Sequence, residues 1–283
     1  MILVTGANGQ LGTELCHLLT EKGINYVGTT TTELDVTNLE QVDTFIQRLQ
    51  PTVIFHCAAY TSVDLAEDEG KEQNHQVNVQ GTKNTALASK AVGATFVYIS
   101  TDYVFDGTLI EGEYAVDAPT NPQTEYGKAK LAGEQFIKEQ LTDYYIIRTS
   151  WVFGQYGGNF VYTMQKLAET RETLTIVSDQ FGRPTWARTL AEFMQFVIDN
   201  KAPYGVYHLS NEGSCSWYEF AKEILKDNNQ VKVLPVNSEA FPQKAKRPKH
   251  SLMDLRKSQA LGFEIPSWER ALSQFLKVEK RIE

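Results

Sequence analysis

The sequence predicts a doubly wound α/β protein: a parallel sheet covered by helices, followed by a smaller α/β lobe. Three observations carry this expectation. Apolar runs alternate with amphipathic helical periods through the first 150 residues, a glycine-rich turn joins the first run to the first helix, and after Ser150 the alternation becomes irregular. Strands that are apolar throughout, rather than at every second residue, belong to parallel sheets buried on both faces.

In order, "MILVT" is a short strand, and "LGTELCHLLTEKG" a helix with Leu11, Leu15, Leu18 and Leu19 on one stripe and Gly23 stopping it. "INYVGTT" is a strand, "LEQVDTFIQRLQ" a helix and "TVIFHCA" a strand too apolar to face water. "KEQNHQVNVQGTKNTALASKAVG" reads as one long helix, "TFVYIST" as a strand, "TEYGKAKLAGEQFIKEQL" as a helix and "YYIIRTS" as a strand. A helix around Asn159–Thr170 then precedes "LTIVSDQFGRPTW". Helices near Thr189–Asn200 and Ser216–Asn228 flank a strand "GVYHLS". The tail from Val231 to Glu283 holds a short strand, a Pro-rich loop and a final helix.

Composition removes several classes of function. With 283 residues, 42% hydrophobic and 22% charged, the chain suits one domain plus a lobe. A net charge of −8 argues against a nucleic-acid partner, which would require clustered Lys and Arg. Apolar runs such as "PTVIFHCAAY" are too short to cross a bilayer, and "MILVTG" has neither the basic nor the apolar region of a secretory signal. Cys16, Cys57 and Cys215 lack metal spacing and suit reduced thiols in a cytoplasmic protein. The expected assembly is a monomer or homodimer.

In "TGANGQLG", Gly6, Gly9 and Gly12 lie between strand and helix. One glycine makes the tight turn, the next admits a pyrophosphate, and the last lets the helix pack closely, with its free N–H groups facing the phosphates. The sheet is therefore expected to be of Rossmann type. Residues 1–150 are expected to bind a dinucleotide through Gly6, Gly9, Gln10, Leu11 and Gly12. Residues 151–283 are expected to form mainly a substrate-binding lobe, with some segments returning to the sheet. After the second strand come Thr29–Thr32, four threonines before any acid, so NADPH or NADH fits and NADPH is favoured. Asp35, beside Val36, either meets the adenine edge or caps the next helix. Ala58 and Ala59 are small enough to lie along the cofactor, with Tyr60 and Thr61 flanking its ribose. The acidic run Asp64, Glu67, Asp68 and Glu69 reads as a solvated helix start.

"STDYVFDG" ends the fourth strand with Thr101, Asp102 and Tyr103, each capable of proton chemistry. Twenty-odd residues later, Tyr126 and Lys130 stand one turn apart on a helix face. An ammonium beside a tyrosine stabilises its phenolate, as would the charge of an oxidised nicotinamide.

Together, "TGANGQLG", "AAYTSVDLAE", "STDYVFDG", "YGKAKLAGE", "RTSWVFG" and "DQFGRPT" resemble the extended short-chain dehydrogenase/reductases, and within them the dTDP-4-dehydrorhamnose reductase family. The resemblance covers nearly the whole chain. It implies a catalytic trio of Thr101, Tyr126 and Lys130 and hydride transfer from a nicotinamide to C4 of a 4-keto-6-deoxyhexose nucleotide. Tyr126 would supply the proton and Thr101 would hydrogen-bond the same oxygen. It further implies substrate contacts from Asp102, Trp151, Asn159, Gln180, Arg183 and Arg247, with Arg183 on a phosphate. Some family members hold Mg²⁺ on interface carboxylates. Glu14 and Glu192 would be those carboxylates here, but Arg188 stands one turn before Glu192, and no metal site is expected.

Two other readings remain. A sugar-nucleotide 4-epimerase or 4,6-dehydratase shares the superfamily, though a dehydratase needs an acidic pair after the threonine, and here Tyr103 follows Asp102. A regulatory subunit of methionine adenosyltransferase resembles the same branch without being an enzyme. In such a subunit the trio would be expected to have decayed, whereas all three residues are present.

Overall fold

The computed structural model describes residues 1–279, so the last four residues of the expected 151–283 lobe lie outside the described residues. Five strands, β1 (Ile2–Thr5), β2 (Tyr26–Thr29), β3 (Val53–His56), β4 (Thr95–Thr101) and β5 (Tyr144–Thr149), precede the short pairs β6 (Val152–Phe153), β8 (Phe181–Gly182), β9 (Thr185–Trp186) and β11 (Cys215–Ser216). The remaining strands are β7 (Thr173–Val177), β10 (Gly205–His208) and β12 (Lys232–Val236). The α-helices are α1 (Gln10–Glu21), α2 (Leu39–Leu49), α3 (Lys71–His75), α4 (Thr82–Val92), α5 (Glu125–Gln140), α6 (Phe160–Ala168), α7 (Ala187–Asp199), α8 (Trp217–Ile224), α9 (Arg256–Gln259) and α10 (Trp268–Glu279).

The main sheet runs β10-β5-β4-β3-β1-β2, parallel throughout. Its strands feed two cores because successive side chains point to opposite faces. Ile2, Val4, Val53, Phe55, Tyr145 and Ile147 pack with Leu15, Leu18, Leu190, Phe193 and Val197 of α1 and α7. Leu3, Ile54 and Ile146 pack on the other side with Val42, Ile46, Ala86 and Ile137 of α2, α4 and α5. Both β10 and α7 come from beyond residue 150. A third core gathers Phe153, Val161, Met164, Leu174, Phe220, Ile224, Leu272 and Phe275 from β6, α6, β7, α8 and α10.

The expected single helix over residues 71–93 is interrupted. A π-helical stretch, Gln76–Gly81, separates α3 from α4. Two asparagines explain its use. The Asn78 side chain accepts from Tyr60 N (3.1 Å) and donates to Tyr60 O (2.8 Å), and Asn74 Nδ2 donates to Glu125 O (3.0 Å). The widened turns thus tie the loop after β3 to the start of α5; such bulges are common at functional sites.

Helix α5 is anchored from behind. Glu134, fully buried, meets Arg148 of β5 in two bonds, Nε–Oε1 at 2.8 Å and Nη2–Oε2 at 2.7 Å. Burial pushes the Glu134 carboxyl up, but the Arg148 bonds and charge outweigh it and hold the group below its usual range. A pair so enclosed fixes geometry more surely than it adds stability.

The turn after β1 is built on close approach. Gly6 has φ +67°, and a Cβ there would lie 2.7 Å from Ala58 Cα. A Cβ on Gly12 would lie 2.1 Å from the Gly6 carbonyl oxygen. Gly12→Ala is therefore expected to cost at least the ~1–3 kcal/mol typical of overpacking and to abolish dinucleotide binding. Thermal melting and nucleotide titration check both, and an unshifted melting point would refute the packing argument.

Candidate active site

The strand order reverses between β1 and β3, because β2 lies on one side of β1 and the later strands on the other. Ligands in open α/β sheets bind at the strand ends beside such a point. A cleft of about 670 Å³ opens there, walled by the β1–α1 turn, the ends of β3, β4 and β5, the start of α5 and parts of the third-core lobe.

On one wall are Gly9, Gln10, Leu11, Gly12, Ala59 and Thr61. Gly6 and Ala58 form the close contact beneath them. Gln10 Nε2 donates to Val152 O at 3.2 Å, while its buried Oε1 has no partner. A cradle that a Cβ would fill, at the N-terminus of α1, fits a dinucleotide diphosphate. Three expected cofactor residues stand off this wall. Asp35 Oδ1 accepts from Thr37 N (2.9 Å) and Oγ1 (2.7 Å), closing a local turn; α2 is capped instead by Asn38, whose side chain accepts from Gln41 N. Val36 is buried against Gly81, and the Tyr60 hydroxyl packs over Gly70.

Thr101, Tyr126 and Lys130 line the same cleft. They meet because α5 docks its first turn on the turn that follows β4. Thr124 caps α5 by accepting from Gly127 N (3.0 Å), and a Cβ on Gly127 would lie 2.3 Å from Tyr103 O. The Tyr103 and Tyr126 rings meet edge to face at 5.8 Å. Burial, then the neighbouring Asp102 charge, raises the Tyr126 hydroxyl well above the usual phenol range, against a smaller pull from Thr101. The expected lowering by Lys130 is not what this site does. Burial brings the ammonium itself down to about 7, opposed by Glu134 and Cys57, and its Nζ sits 4.0 Å over the Tyr98 ring. Raised in this way, Tyr126 is a protonated phenol, the form a proton donor needs. His56, also on the wall, is held neutral by burial, its Nδ1 2.9 Å from Thr5 Oγ1.

Asp102 is 2% exposed. Its Oδ1 accepts from Thr101 Oγ1 at 3.1 Å, and its Oδ2 makes no well-formed hydrogen bond. Burial lifts it to about 6, against weaker pulls from the Ser251 and Thr101 hydroxyls.

Trp151, Asn159, Gln180 and Arg247 line the opposite wall. Trp151 adopts φ +48° and stacks on Trp217 at 3.5 Å between ring centroids, with Phe160 4.6 Å from Trp217. Asn159 Oδ1 caps α6, and its Nδ2 donates to Gly154 O at 2.8 Å, so its amide is already engaged. Arg183 requires correction. Its guanidinium donates to Gly213 O (2.8 Å), Met253 O and Glu113, so it is a buried brace rather than a wall residue.

Phe160 and Trp217 are wall residues that sequence reasoning missed, and Tyr103, singled out in the sequence with Thr101 and Asp102, also lines the cleft. For Trp217 a signal existed: Ser216 and Glu219 form a reciprocal cap, which starts a helix at the tryptophan. The acidic run is also corrected, because it is not simply solvated. Asp64 Oδ2 accepts from Arg247 Nη2 (2.6 Å) and its Oδ1 from Ala245 N (3.0 Å), Asp68 meets Lys244, and Glu67 Oε1 accepts from Glu125 N (2.9 Å). Arg247 Nη1 then reaches the Tyr103 hydroxyl at 2.9 Å.

The carboxylates considered for Mg²⁺ do not fit a metal. Arg188 stands among them, with Nη1 3.5 Å from Glu14, Nη2 2.5 Å from Glu21 and Nε 2.9 Å from Glu192. Among the described residues, no cluster of three or more His, Cys, Asp or Glu is arranged to hold a metal.

A carboxyl raised to about 6 on folding, from ~3.9 in a free chain, stabilises the fold only while protonated. That contribution is present below about pH 4 and is lost as pH rises through 6. Asp102→Asn is therefore expected to raise the melting temperature increasingly from pH 4 to pH 8, by up to ~3 kcal/mol in stability. A gain that did not grow with pH would refute the assignment.

Residues 1–281 match the family model described as RmlD substrate binding domain. The spore coat polysaccharide biosynthesis protein SpsK of Bacillus subtilis (strain 168) is 41% identical, with 98% of this chain and 96% of that protein covered. The dTDP-4-dehydrorhamnose reductase of Aggregatibacter actinomycetemcomitans is 39% identical, with 96% of each covered. The crystal structure of dTDP-4-dehydrorhamnose reductase from Bacillus anthracis str. Ames in complex with NADP superposes with TM-score 0.93 at 44% identity, covering 97% of this chain and 98% of that one. With nearly its whole length matched at the levels of family model, sequence and fold, the chain belongs to the RmlD substrate binding domain family.

Proposed function

We propose that the protein is an NAD(P)H-dependent reductase that converts the C4 keto group of dTDP-4-dehydro-L-rhamnose to a hydroxyl, giving dTDP-L-rhamnose. The observation that carries this reading is the sharing of one cleft by a dinucleotide cradle and the group Thr101, Tyr126 and Lys130. Family membership supports the substrate. The absence, among the described residues, of any helix long and apolar enough to cross a membrane agrees with a nucleotide-sugar substrate handled in water.

When bound, the reduced nicotinamide supplies the hydride. Gly9, Gly12 and the N-terminus of α1 hold its diphosphate, and Lys130 holds the nicotinamide ribose. Tyr126 donates its proton to the C4 oxygen as negative charge develops there. Thr101 turns its one hydroxyl proton from Asp102 to the same oxygen, stabilising that charge. Asp102 Oδ2, left without a well-formed bond, accepts from a sugar hydroxyl. Trp151, stacked on Trp217 and packed against Gly182, gives the methyl-bearing sugar an apolar wall rather than an open ring face. Arg247 has spent three of its five N–H groups on Gln243, Tyr103 and Asp64, and offers the others to the substrate diphosphate.

Purified protein should oxidise a reduced nicotinamide dinucleotide only when dTDP-4-dehydro-L-rhamnose is present. Tyr126→Phe should lower kcat by roughly 10²–10⁴ while leaving dinucleotide affinity unchanged; unaltered turnover would remove Tyr126 as the acid. Arg247→Ala should raise KM for the nucleotide sugar about 10-fold or more, as loss of a charge-assisted contact does, with a smaller change in kcat. Steady-state kinetics separate the two effects.

A further inference from the structure

We propose that Glu67 is a positioning residue for the proton transfer: through the main chain of Glu125 it fixes where the neighbouring Tyr126 hydroxyl stands in the cleft. The inference rests on the reading of Tyr126 as proton donor, and it concerns what holds that donor still. Tyr126 is only the second residue of α5, and the first N–H groups of a helix have no partner inside it. Such ends fray unless something outside the helix engages them. The hydroxyl lies at the far end of a rigid ring, so a small tilt of this turn is magnified there.

Thr124 answers one of the free donors, Gly127 N, at 3.0 Å. Glu125 is engaged from outside the helix, by one segment. Its N–H donates to Glu67 Oε1 at 2.9 Å, and its carbonyl accepts from Asn74 Nδ2 at 3.0 Å. Its carboxylate also meets Lys71 Nζ at 3.1 Å, an exposed pair that adds little. Residues 67–74 thus grip the main chain beside the tyrosine at both of its polar atoms.

The turn that carries Glu67 is itself fixed. Ala66 is buried, its N–H donates to Ser62 O at 3.0 Å, and Gly70 N donates to Leu65 O at 2.8 Å. A Cβ on Gly70 would collide with the Tyr60 hydroxyl, so the turn packs directly on the loop after β3. Asp64, one helical turn before Glu67, is held by Arg247 Nη2 at 2.6 Å and by Ala245 N at 3.0 Å. A carboxyl at a helix N-terminus also meets the positive end of the helix dipole. The positioning itself, however, needs only one acceptor oxygen on one N–H, which a neutral amide reproduces.

The test compares the full chain with its Glu67→Ala, Glu67→Asp and Glu67→Gln variants. Two quantities are read: the single-turnover rate of nicotinamide oxidation at saturating dTDP-4-dehydro-L-rhamnose, and amide hydrogen exchange across residues 124–127. Ala and Asp withdraw the acceptor, whereas Gln keeps a carbonyl oxygen in its place. Ala and Asp should slow the single turnover roughly 10-fold or more, with sugar and dinucleotide Kd within about 2-fold of the parent, because a misplacement of ~1 Å is costly to chemistry rather than to binding. Both should speed exchange in the first turn of α5, and Gln should restore rate and exchange to within about 3-fold. A cap that served stability alone would lower the melting temperature and leave the single-turnover rate unchanged, and that result overturns the role of Glu67. So does a Gln variant as slow as Ala. If the Ala variant does not fold, Asp carries the same outcomes. A parent that oxidises no nicotinamide with this sugar overturns the reductase reading instead; unchanged exchange in Ala or Asp then overturns the clamp on its own.

Discussion

The structure depends on a contact in which no side-chain atom fits. The Gly6 carbonyl, the Gly12 Cα and the Ala58 backbone approach so closely that β1, α1 and β3 are locked into one turn. The N-terminus of α1 then points into the space left where the strand order reverses. Every other wall of the cleft is arranged around that fixed edge. The ends of β3, β4 and β5 follow by register, and α5 is tied to β5 by the Glu134–Arg148 pair.

Electrostatics divide the molecule into paired and unpaired burial. Glu134 is enclosed with Arg148, whose bonds and charge hold its carboxyl below the usual range. Tyr126, Lys130 and Asp102 are enclosed with few partners, and burial moves each toward its neutral form. A protein keeps such groups only where a ligand completes them, because an unpaired buried charge costs stability. Placement separates two arginines that look alike in sequence. Each donates three hydrogen bonds, but Arg183 is buried away from the cleft against Gly213, Met253 and Glu113, whereas Arg247 lies on the cleft wall.

What was legible in the sequence was local. The glycine turn, the alternation of strands and helices, and Tyr126 with Lys130 one turn behind it depend on spacings of a few residues. The rest depends on distant partners. Arg183 reads as a phosphate ligand until Glu113 and Met253, each 70 residues away, engage it. The acidic run reads as a solvated helix start until Lys244 and Arg247 arrive from the far end of the chain. The helix over 71–93 looks continuous because nothing in its periodicity announces that Asn74 and Asn78 reach across to Glu125 and Tyr60.

The short turn Leu65–Glu67 and its flanking aspartates serve two parts of the cleft at once. Asp64 and Asp68 grip the segment carrying Lys244 and Arg247, and Glu67 grips the main-chain N–H that immediately precedes Tyr126. A displacement of the loop carrying Lys244 and Arg247 is therefore transmitted through three carboxylates to the base of the helix that carries Tyr126. In evolutionary terms these two regions, more than 100 residues apart, are not free to drift independently. A change that re-shapes the loop for another nucleotide sugar must be absorbed by this turn, or it will be felt at the tyrosine.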